Sequence, residues 1–141
     1  LIGKEVNRVH NIVALLKNPE FVAQINNSNN VPVIVAGDFN SPSDLDWIED
    51  TKEKHFGAII EWPAPKLLRN SAGMTDSFRE VNPDVNANPG ITYLRKSVET
   101  GGERVDHIYY RGSIRPTASY TRNITSTGAS DEIHAVVTEF E

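Results

Sequence analysis

The chain has 141 residues, of which 38% are hydrophobic and 23% are charged; this is the composition of one globular domain with its own core. Its net charge of −5 provides no overall basic field, which excludes a module that only coats DNA or RNA. The absence of cysteine excludes disulfides and thiolate metal sites and leaves the cellular compartment open. No apolar run approaches the roughly 18 residues of a membrane span.

The first fifty residues predict two helices, a strand and a third, short helix. Apolar side chains recur at helical spacing between residues 4 and 17, at Val6, Val9, Ile12, Val13 and Leu16. Asn18-Pro19 should end this helix, and a second helical turn is predicted at 21–25. Residues 31–37 are β-branched with no polar face, which is typical of a strand buried on both sides. Residues 44–50 could form a short helix capped by Ser43.

The rest of the chain predicts mostly strands. Residues 66–72 should be helical up to Gly73, and residues 81–90, rich in Pro and Asn, should form a loop. Three or four strands are predicted after it, at 91–94, 104–110, roughly 115–121, and 135–140. The pattern as a whole indicates a single α/β domain.

Three motifs carry chemistry, and the first is Gly-Asp-Phe-Asn at 37–40. A strand that ends there presents Asp38 and Asn40 on the same side. The carboxylate can accept a proton from water, and the amide can orient a phosphate oxygen. The alternative is an Asx-turn in which both side chains bond only to the local backbone.

The second motif is Arg-Val-Asp-His-Ile at 104–108. Strand alternation places Asp106 on one face and His107 on the other. A carboxylate in a strand needs a metal, a substrate or an ion-pair partner, and Arg104 is the candidate partner. His107 by itself is more typical of a packed histidine than of a catalyst.

The third motif begins at Ser130 and carries Asp131 and His134 just before the last strand. An Asp–His dyad there could hold an imidazolium against a phosphoryl oxygen. The alternative is an ordinary acidic surface loop.

Together and in this order, the motifs resemble the endonuclease/exonuclease/phosphatase (deoxyribonuclease I-like) superfamily. Residues 73–79 and 91–93 are similar to a further segment of that family. The resemblance implies a divalent-metal-dependent phosphoric ester hydrolase that uses Mg²⁺, or else Mn²⁺ or Ca²⁺. It implies catalytic roles for Asp38, Asn40, Asp106, Asp131 and His134, metal ligation by Asp38 and Asp131, and substrate contacts from Asn40 and Arg104.

The same resemblance implies a four-layer α/β sandwich, of which residues 1–141 would supply the C-terminal half, with a mixed β-sheet and flanking helices. The family takes a Glu metal ligand from the preceding half, and Glu5, on a helix, cannot substitute for it. We therefore expect the N-terminal half, whether in the same or a separate chain, as a partner, and an isolated chain that is inactive. The substrate is expected to be a phosphate ester, with nucleic acid, lipid and small molecules all left open.

The third motif departs from the family, in which His follows Asp directly. If the last strand keeps its register, Ile133 takes the histidine's place, because a shift of one residue changes the face. If Glu132-Ile133 bulges, His134 reaches the Asp38 cluster, and this is the expectation adopted here. The rival to the enzyme is a pseudoenzyme or binding module that keeps the fold with a degraded site.

Overall fold

The computed structural model describes residues 2–95 and 101–141. Its helices are α1 (Ile2–Lys17), α2 (Pro19–Asn26), α3 (Pro63–Ala72) and α4 (Ser77–Val81), with a 3₁₀ helix at Glu49–His55. Its strands are β1 (Val33–Asp38), β2 (Thr75–Asp76), β3 (Tyr93–Arg95), β4 (Asp106–Arg111), β5 (Pro116–Asn123) and β6 (Asp131–Phe140). No helix within these described ranges combines the length and the apolar character needed to cross a bilayer.

The strands form two three-stranded sheets, in the orders β1-β4-β2 and β3-β6-β5. Every strand pair in the described residues is antiparallel, so the expected mixed sheet is wrong for this part of the domain. Ser77, at the start of α4, joins the sheets, because its hydroxyl lies 2.8 Å from both the Ile108 carbonyl of β4 and the Thr138 hydroxyl of β6. The α/β class is confirmed.

Most predicted elements are present with shifted ends. Helix α3 ends at Gly73, which adopts the left-handed conformation (φ 61°) that favours glycine. The short helix expected at 44–50 begins later, as the 3₁₀ helix Glu49–His55. Strand β2 was not predicted, because its two residues are too few to show a periodic pattern.

Strand β1 is not buried on both faces, which corrects the prediction. It lies at the edge of its sheet, and its two sides differ. Val33 and Val35 pack against the core, whereas Ile34 is 51% exposed and Ala36 is exposed. The exposed side carries Asp38 at its end, so the strand delivers this carboxylate to an open face of the sheet.

Helix α1 buries a stripe that includes one charged residue. Val9, Ile12 and Leu16 contribute to the core, but Val6, predicted to join them, is 59% exposed. Glu5 is buried instead, and its Oε1 accepts hydrogen bonds from the Ala64 N–H of α3 and the Ser41 hydroxyl, both at 3.0 Å. A carboxylate at the start of α3 satisfies one of the unpaired N–H groups of that helix.

The centre of the domain is a buried cluster of two arginines and two aspartates: Arg79, Arg104, Asp46 and Asp76. Arg104 is 2% exposed and donates two hydrogen bonds to each carboxylate, at 2.8–3.1 Å. Its fifth N–H points to Nδ1 of His107 at 3.3 Å, so every donor of the guanidinium has an acceptor. The cluster joins three distant segments around one cation.

The charges in this cluster depend on one another. Burial by itself would raise the pKa of Asp76, but the charge and hydrogen bonds of Arg104 outweigh it and hold that pKa below its usual value. Burial would likewise lower the pKa of Arg104, and Asp76 and Asp46 reverse that effect. Loss of the positive or the negative side chains of the cluster would leave the remaining charges buried without compensation.

We expect Arg104→Met to lower the free energy of unfolding by about 3–5 kcal/mol, because it removes the ion-pair partner of the buried Asp76 carboxylate and leaves Asp46 with Arg79 alone. Urea denaturation at pH 7 measures this. The control is Lys52→Gln, which removes an exposed ion pair with Glu49 and should cost less than about 1 kcal/mol. Equal effects of the two substitutions would contradict a central role for the cluster.

Candidate active site

The two strand-end carboxylates predicted from the sequence lie opposite each other. In the β1–β4 ladder Asp38 pairs with Asp106, and Gly37 pairs with His107. Directly opposed residues share a face of the sheet, so Asp38 and Asp106 are neighbours on the open face while His107 lies on the buried one. The alternation predicted for the second motif is therefore confirmed.

Asp38 and Asn40 form a tight turn after β1. The Asp38 Oδ1 accepts the Asn40 backbone N–H at 2.7 Å, and its Oδ2 lies 3.3 Å from the Asn40 amide nitrogen. This is the Asx-turn that the sequence left open as the alternative interpretation of this motif. Asn40 has a left-handed φ of 49°, which Asn tolerates. Both residues remain exposed, so the turn leaves the carboxylate and one amide hydrogen accessible to a ligand.

Ser41, which follows the turn, is fixed by hydrogen bonds to two buried side chains. The Ser41 hydroxyl donates to the buried carboxylate of Glu5, and its carbonyl accepts the His107 Nε2–H at 2.9 Å. Burial is the main cause that lowers the pKa of His107 to about 4, and the positive charge of Arg104 adds to this shift. The ring is therefore neutral at pH 7. His107 is therefore a positioning residue that fixes the backbone next to Asp38 and Asn40.

Asp106 is placed by the buried residue Thr92. The Thr92 hydroxyl accepts the N–H groups of Val105 and Asp106, at 3.0 and 3.1 Å, and its carbonyl accepts the His134 N–H of β6 at 2.8 Å. Partial burial, together with the charge of Asp38, raises the pKa of Asp106. Two neighbouring carboxylates, one of which has a raised pKa, favour the binding of a cation or the sharing of one proton.

A cleft of ≈750 Å³ opens over these carboxylates. Its lining includes Asp38, Asn40 and Asp106, and four cationic side chains from three elements: Lys4, Arg8, Lys54 and Arg95. The chain as a whole is acidic, yet this cleft concentrates positive charge beside the carboxylates. Such a mixture suits an anionic ligand that is attacked by activated water.

The third motif does not have the expected geometry. Residues 131–133 pair with β3 in regular register, and β6 continues against β5 from His134 onward, so the expected bulge at Glu132-Ile133 is absent. Ile133 lines the cleft, while His134 points to the other face and its Nε2 lies 2.6 Å from the Glu132 carboxylate. The prediction that His134 reaches the Asp38 cluster is wrong, because an unbroken strand alternates its side chains.

Asp131 is connected to the cleft through a hydrogen bond with Tyr93. It lies on the same face of β6 as Ile133, and its Oδ2 accepts the Tyr93 hydroxyl at 3.1 Å. Tyr93 and Arg95 of β3 both line the cleft. Sequence reasoning missed these two residues, although alternation along the predicted strand at 91–94 could have placed Tyr93 on the same side as an acidic partner.

Arg104 is not placed to contact a substrate in the cleft. Its guanidinium is buried and its donors are all used within the ion-pair cluster. Its carboxylate partners are Asp46 and Asp76, and not Asp106 as the sequence alternative supposed. The substrate-contact role is corrected to a role in the fold, because a cation held by two buried carboxylates has nothing left to donate.

The described residues alone do not complete a metal site. Asp38 and Asp106 supply hard oxygen ligands of the kind that Mg²⁺ prefers. However, within residues 2–95 and 101–141 no three His, Cys, Asp or Glu side chains come together as a set that could hold a metal ion.

A comparison with known proteins identifies the class to which this fold and cleft belong. The sequence profile of the Endonuclease/Exonuclease/phosphatase family matches residues 16–131, and the chain belongs to that family. Its members are generally divalent-metal-dependent hydrolases of phosphate esters. A relative, an uncharacterized protein of Caenorhabditis elegans, is 34% identical over 125 residues, which cover 82% of this chain and 40% of the relative. The chain thus spans well under half the length of that relative.

We expect His134→Ala to leave turnover by the complete protein within about twofold of wild type. The reason is that the ring faces away from the cleft and is bonded to Glu132. Loss of a true general acid or base typically costs ~10²–10⁴ in rate, so steady-state kinetics separate the two cases. A hundredfold loss of kcat without loss of folded protein would return His134 to the active site.

The pKa of Glu103 predicts how the stability of the fold depends on pH. Burial raises its pKa to about 7, with the Trp47 Nε1–H bond opposing and the charge of Asp46 adding to this shift. Below the ordinary value of 4.5 the carboxyl is protonated in both folded and unfolded states. Between 4.5 and about 7 only the unfolded chain loses the proton, so the Glu103 contribution to stability is lost as pH rises.

Glu103→Gln removes this penalty and keeps the acceptor for Trp47. We expect the variant to gain about 2 kcal/mol relative to wild type between pH 5 and pH 8, measured by urea denaturation at both pH values. The control is Glu53→Gln, an exposed glutamate of the neighbouring 3₁₀ helix, which should shift both stabilities equally. A Glu103→Gln profile parallel to wild type would contradict the prediction.

Proposed function

We propose that this chain is part of a divalent-metal-dependent phosphoesterase that hydrolyses a phosphodiester or phosphomonoester with activated water. The single observation that carries the proposal is the pairing of Asp38 with Asp106 at the mouth of a cleft lined by cationic side chains. Family membership supports it. Nucleophilic water needs a base, and the phosphate needs positive charge around it as the transition state forms.

Each residue of the chain has a defined task in this proposal. Asp38 accepts the proton of the attacking water, and the Asn40 amide donates to a phosphate oxygen. Asp106 supports Asp38 from the opposite strand, and Arg95 attracts the anionic substrate. Asp131, through Tyr93, holds one side of the cleft. A bound Mg²⁺, with Mn²⁺ or Ca²⁺ as substitutes, would supply charge neutralisation, and Asp38 and Asp131 remain its predicted ligands in this chain.

We further propose that the active domain is the family's four-layer sandwich, with its other half outside residues 1–141. The exposed apolar strand residues support this, since Ile34 is 51% and Ile133 47% exposed although both lie within sheets. A sheet face that carries apolar side chains is normally packed against another layer. The longer relative, of which the matched region is 40%, is also consistent with additional sequence. The remaining metal ligands would come from that half.

A second candidate is a binding module that holds a phosphate group without cleaving it. The observation that favours it is Ile133, an apolar side chain at the cleft where the family resemblance calls for a histidine. In that case the cationic lining would still bind a phosphate ester. Binding without turnover by the complete protein distinguishes this candidate from the enzyme.

The test is magnesium-dependent cleavage of bis(p-nitrophenyl) phosphate by the complete protein and by its Asp38→Asn variant. We expect the variant to lose about 10²–10⁴ in kcat with little change in thermal stability, because Asn keeps the acceptor of the Asx-turn. Metal-free protein should be inactive.

The chain offers a matched control at Asp84, whose Oδ1 accepts the Asn86 N–H at 2.9 Å in a similar turn outside the cleft. Asp84→Asn makes the same chemical change in the same kind of turn and should leave kcat unaltered. An Asp38→Asn variant that is as active as Asp84→Asn would reduce Asp38 to a turn residue and defeat the proposal.

A further inference from the structure

The lining of the cleft also includes three aromatic side chains, Trp47, His55 and Phe56, which are called the aromatic shelf below. The Trp47 and His55 rings are stacked, with centroids 4.1 Å apart and planes inclined by 12°. The edge of Trp47 meets the buried Trp62 at 5.0 Å and 90°. Trp62, Trp47 and His55 therefore form a continuous series of packed rings that leads from the protein interior to the cleft.

The shelf is fixed in position before any ligand arrives. Trp47 donates its Nε1–H to Glu103 at 3.1 Å, and its carbonyl accepts the Ile60 N–H at 3.1 Å. The preceding residue, Asp46, belongs to the buried ion-pair cluster with Arg104. A rigid aromatic surface loses little conformational entropy when it binds a ligand.

Phe56 is the part of the shelf that the fold does not explain. Its side chain is 87% exposed, and its backbone is left-handed, with φ 56° and ψ 35°. Left-handed geometry is unfavourable for a bulky residue, and glycine is the usual occupant of such a position. An exposed phenylalanine there gains no compensation from the core, which is the pattern expected of a ligand-binding residue.

The shelf and the candidate catalytic residues share a single cleft. Its ≈750 Å³ volume is in the range of sites for nucleotide-sized ligands. Lys54 lies next to the shelf, and Arg95 lines the same cleft. Burial is the main cause that lowers the pKa of His55. Its ring is therefore neutral at pH 7 and adds no charge to the stacked pair with Trp47.

We infer that the aromatic shelf is a subsite for a planar ring, so that the ligand is a phosphate ester whose esterified group carries an aromatic or heteroaromatic ring. The phosphate lies towards Asp38 and the cationic side chains, and the ring lies against His55 and Phe56. The inference rests on the proposed function, because it assigns the phosphate to the Asp38 side of the cleft. It makes Phe56 and His55 specificity-determining residues.

The test compares two probes that differ only in the ring, AMP and ribose 5-phosphate, in calorimetric binding to the complete protein. We expect wild type to bind AMP about tenfold more tightly, which is the size of one stacked base. Phe56→Gly and His55→Ala should each reduce this ratio by about fivefold. Affinity for ribose 5-phosphate should stay within about twofold, and Phe56→Tyr should preserve the AMP preference.

Phe56→Gly also separates binding from folding. Glycine fits the left-handed backbone, so this variant should unfold at a higher temperature than wild type while it loses ring preference. Such a combination is incompatible with a loss caused by misfolding. Equal affinity of wild type for the two probes, an unchanged ratio in both ring-removing variants, or no binding of either probe would overturn the inference.

The outcome is independent of turnover. Lack of bis(p-nitrophenyl) phosphate cleavage with an intact AMP preference would defeat the phosphoesterase and leave the ring subsite. Cleavage that depends on Asp38, with no AMP preference, would leave the enzyme and defeat the ring subsite.

Discussion

The guanidinium of Arg104 is the constraint on which the rest of the structure depends. It lies fully buried between Asp46 and Asp76 and has an acceptor for every N–H. Asp46 leads into the aromatic shelf, Asp76 begins α4, and Arg104 itself leads into β4. Because an uncompensated buried charge is so costly, these three segments are fixed relative to one another, and both walls of the cleft are fixed with them.

The cleft is built by supports that never touch a ligand. Glu5 and His107 hold Ser41, and through it the turn that presents Asp38 and Asn40. Thr92 holds the starts of β4 and β6 together. Rigid support of this kind keeps polar groups within the small tolerance that catalysis and recognition require. A chain that is acidic overall thereby presents one local cationic cleft.

Charge and aromatic surface divide the cleft between two tasks. The carboxylates and cationic side chains suit a phosphate and an activated water, while the aromatic rings suit a planar group. The exposed apolar side of β1, which carries Ile34, fits the proposed interface with the rest of the family domain.

The sequence by itself determined the family, the α/β class, the helix α1, the end of α3 at Gly73, and the opposite faces of Asp106 and His107. These features follow from local periodicity, backbone preference and short motifs, which are properties of neighbouring residues. Only the tertiary structure decided that β1 has an open face, that Arg104 belongs to the interior, and that Ile133 and not His134 faces the cleft. Burial and strand register depend on partners tens of residues away, such as Asp46 for Arg104 and Tyr93 for Ile133, and no local pattern reports which distant partner a side chain will meet.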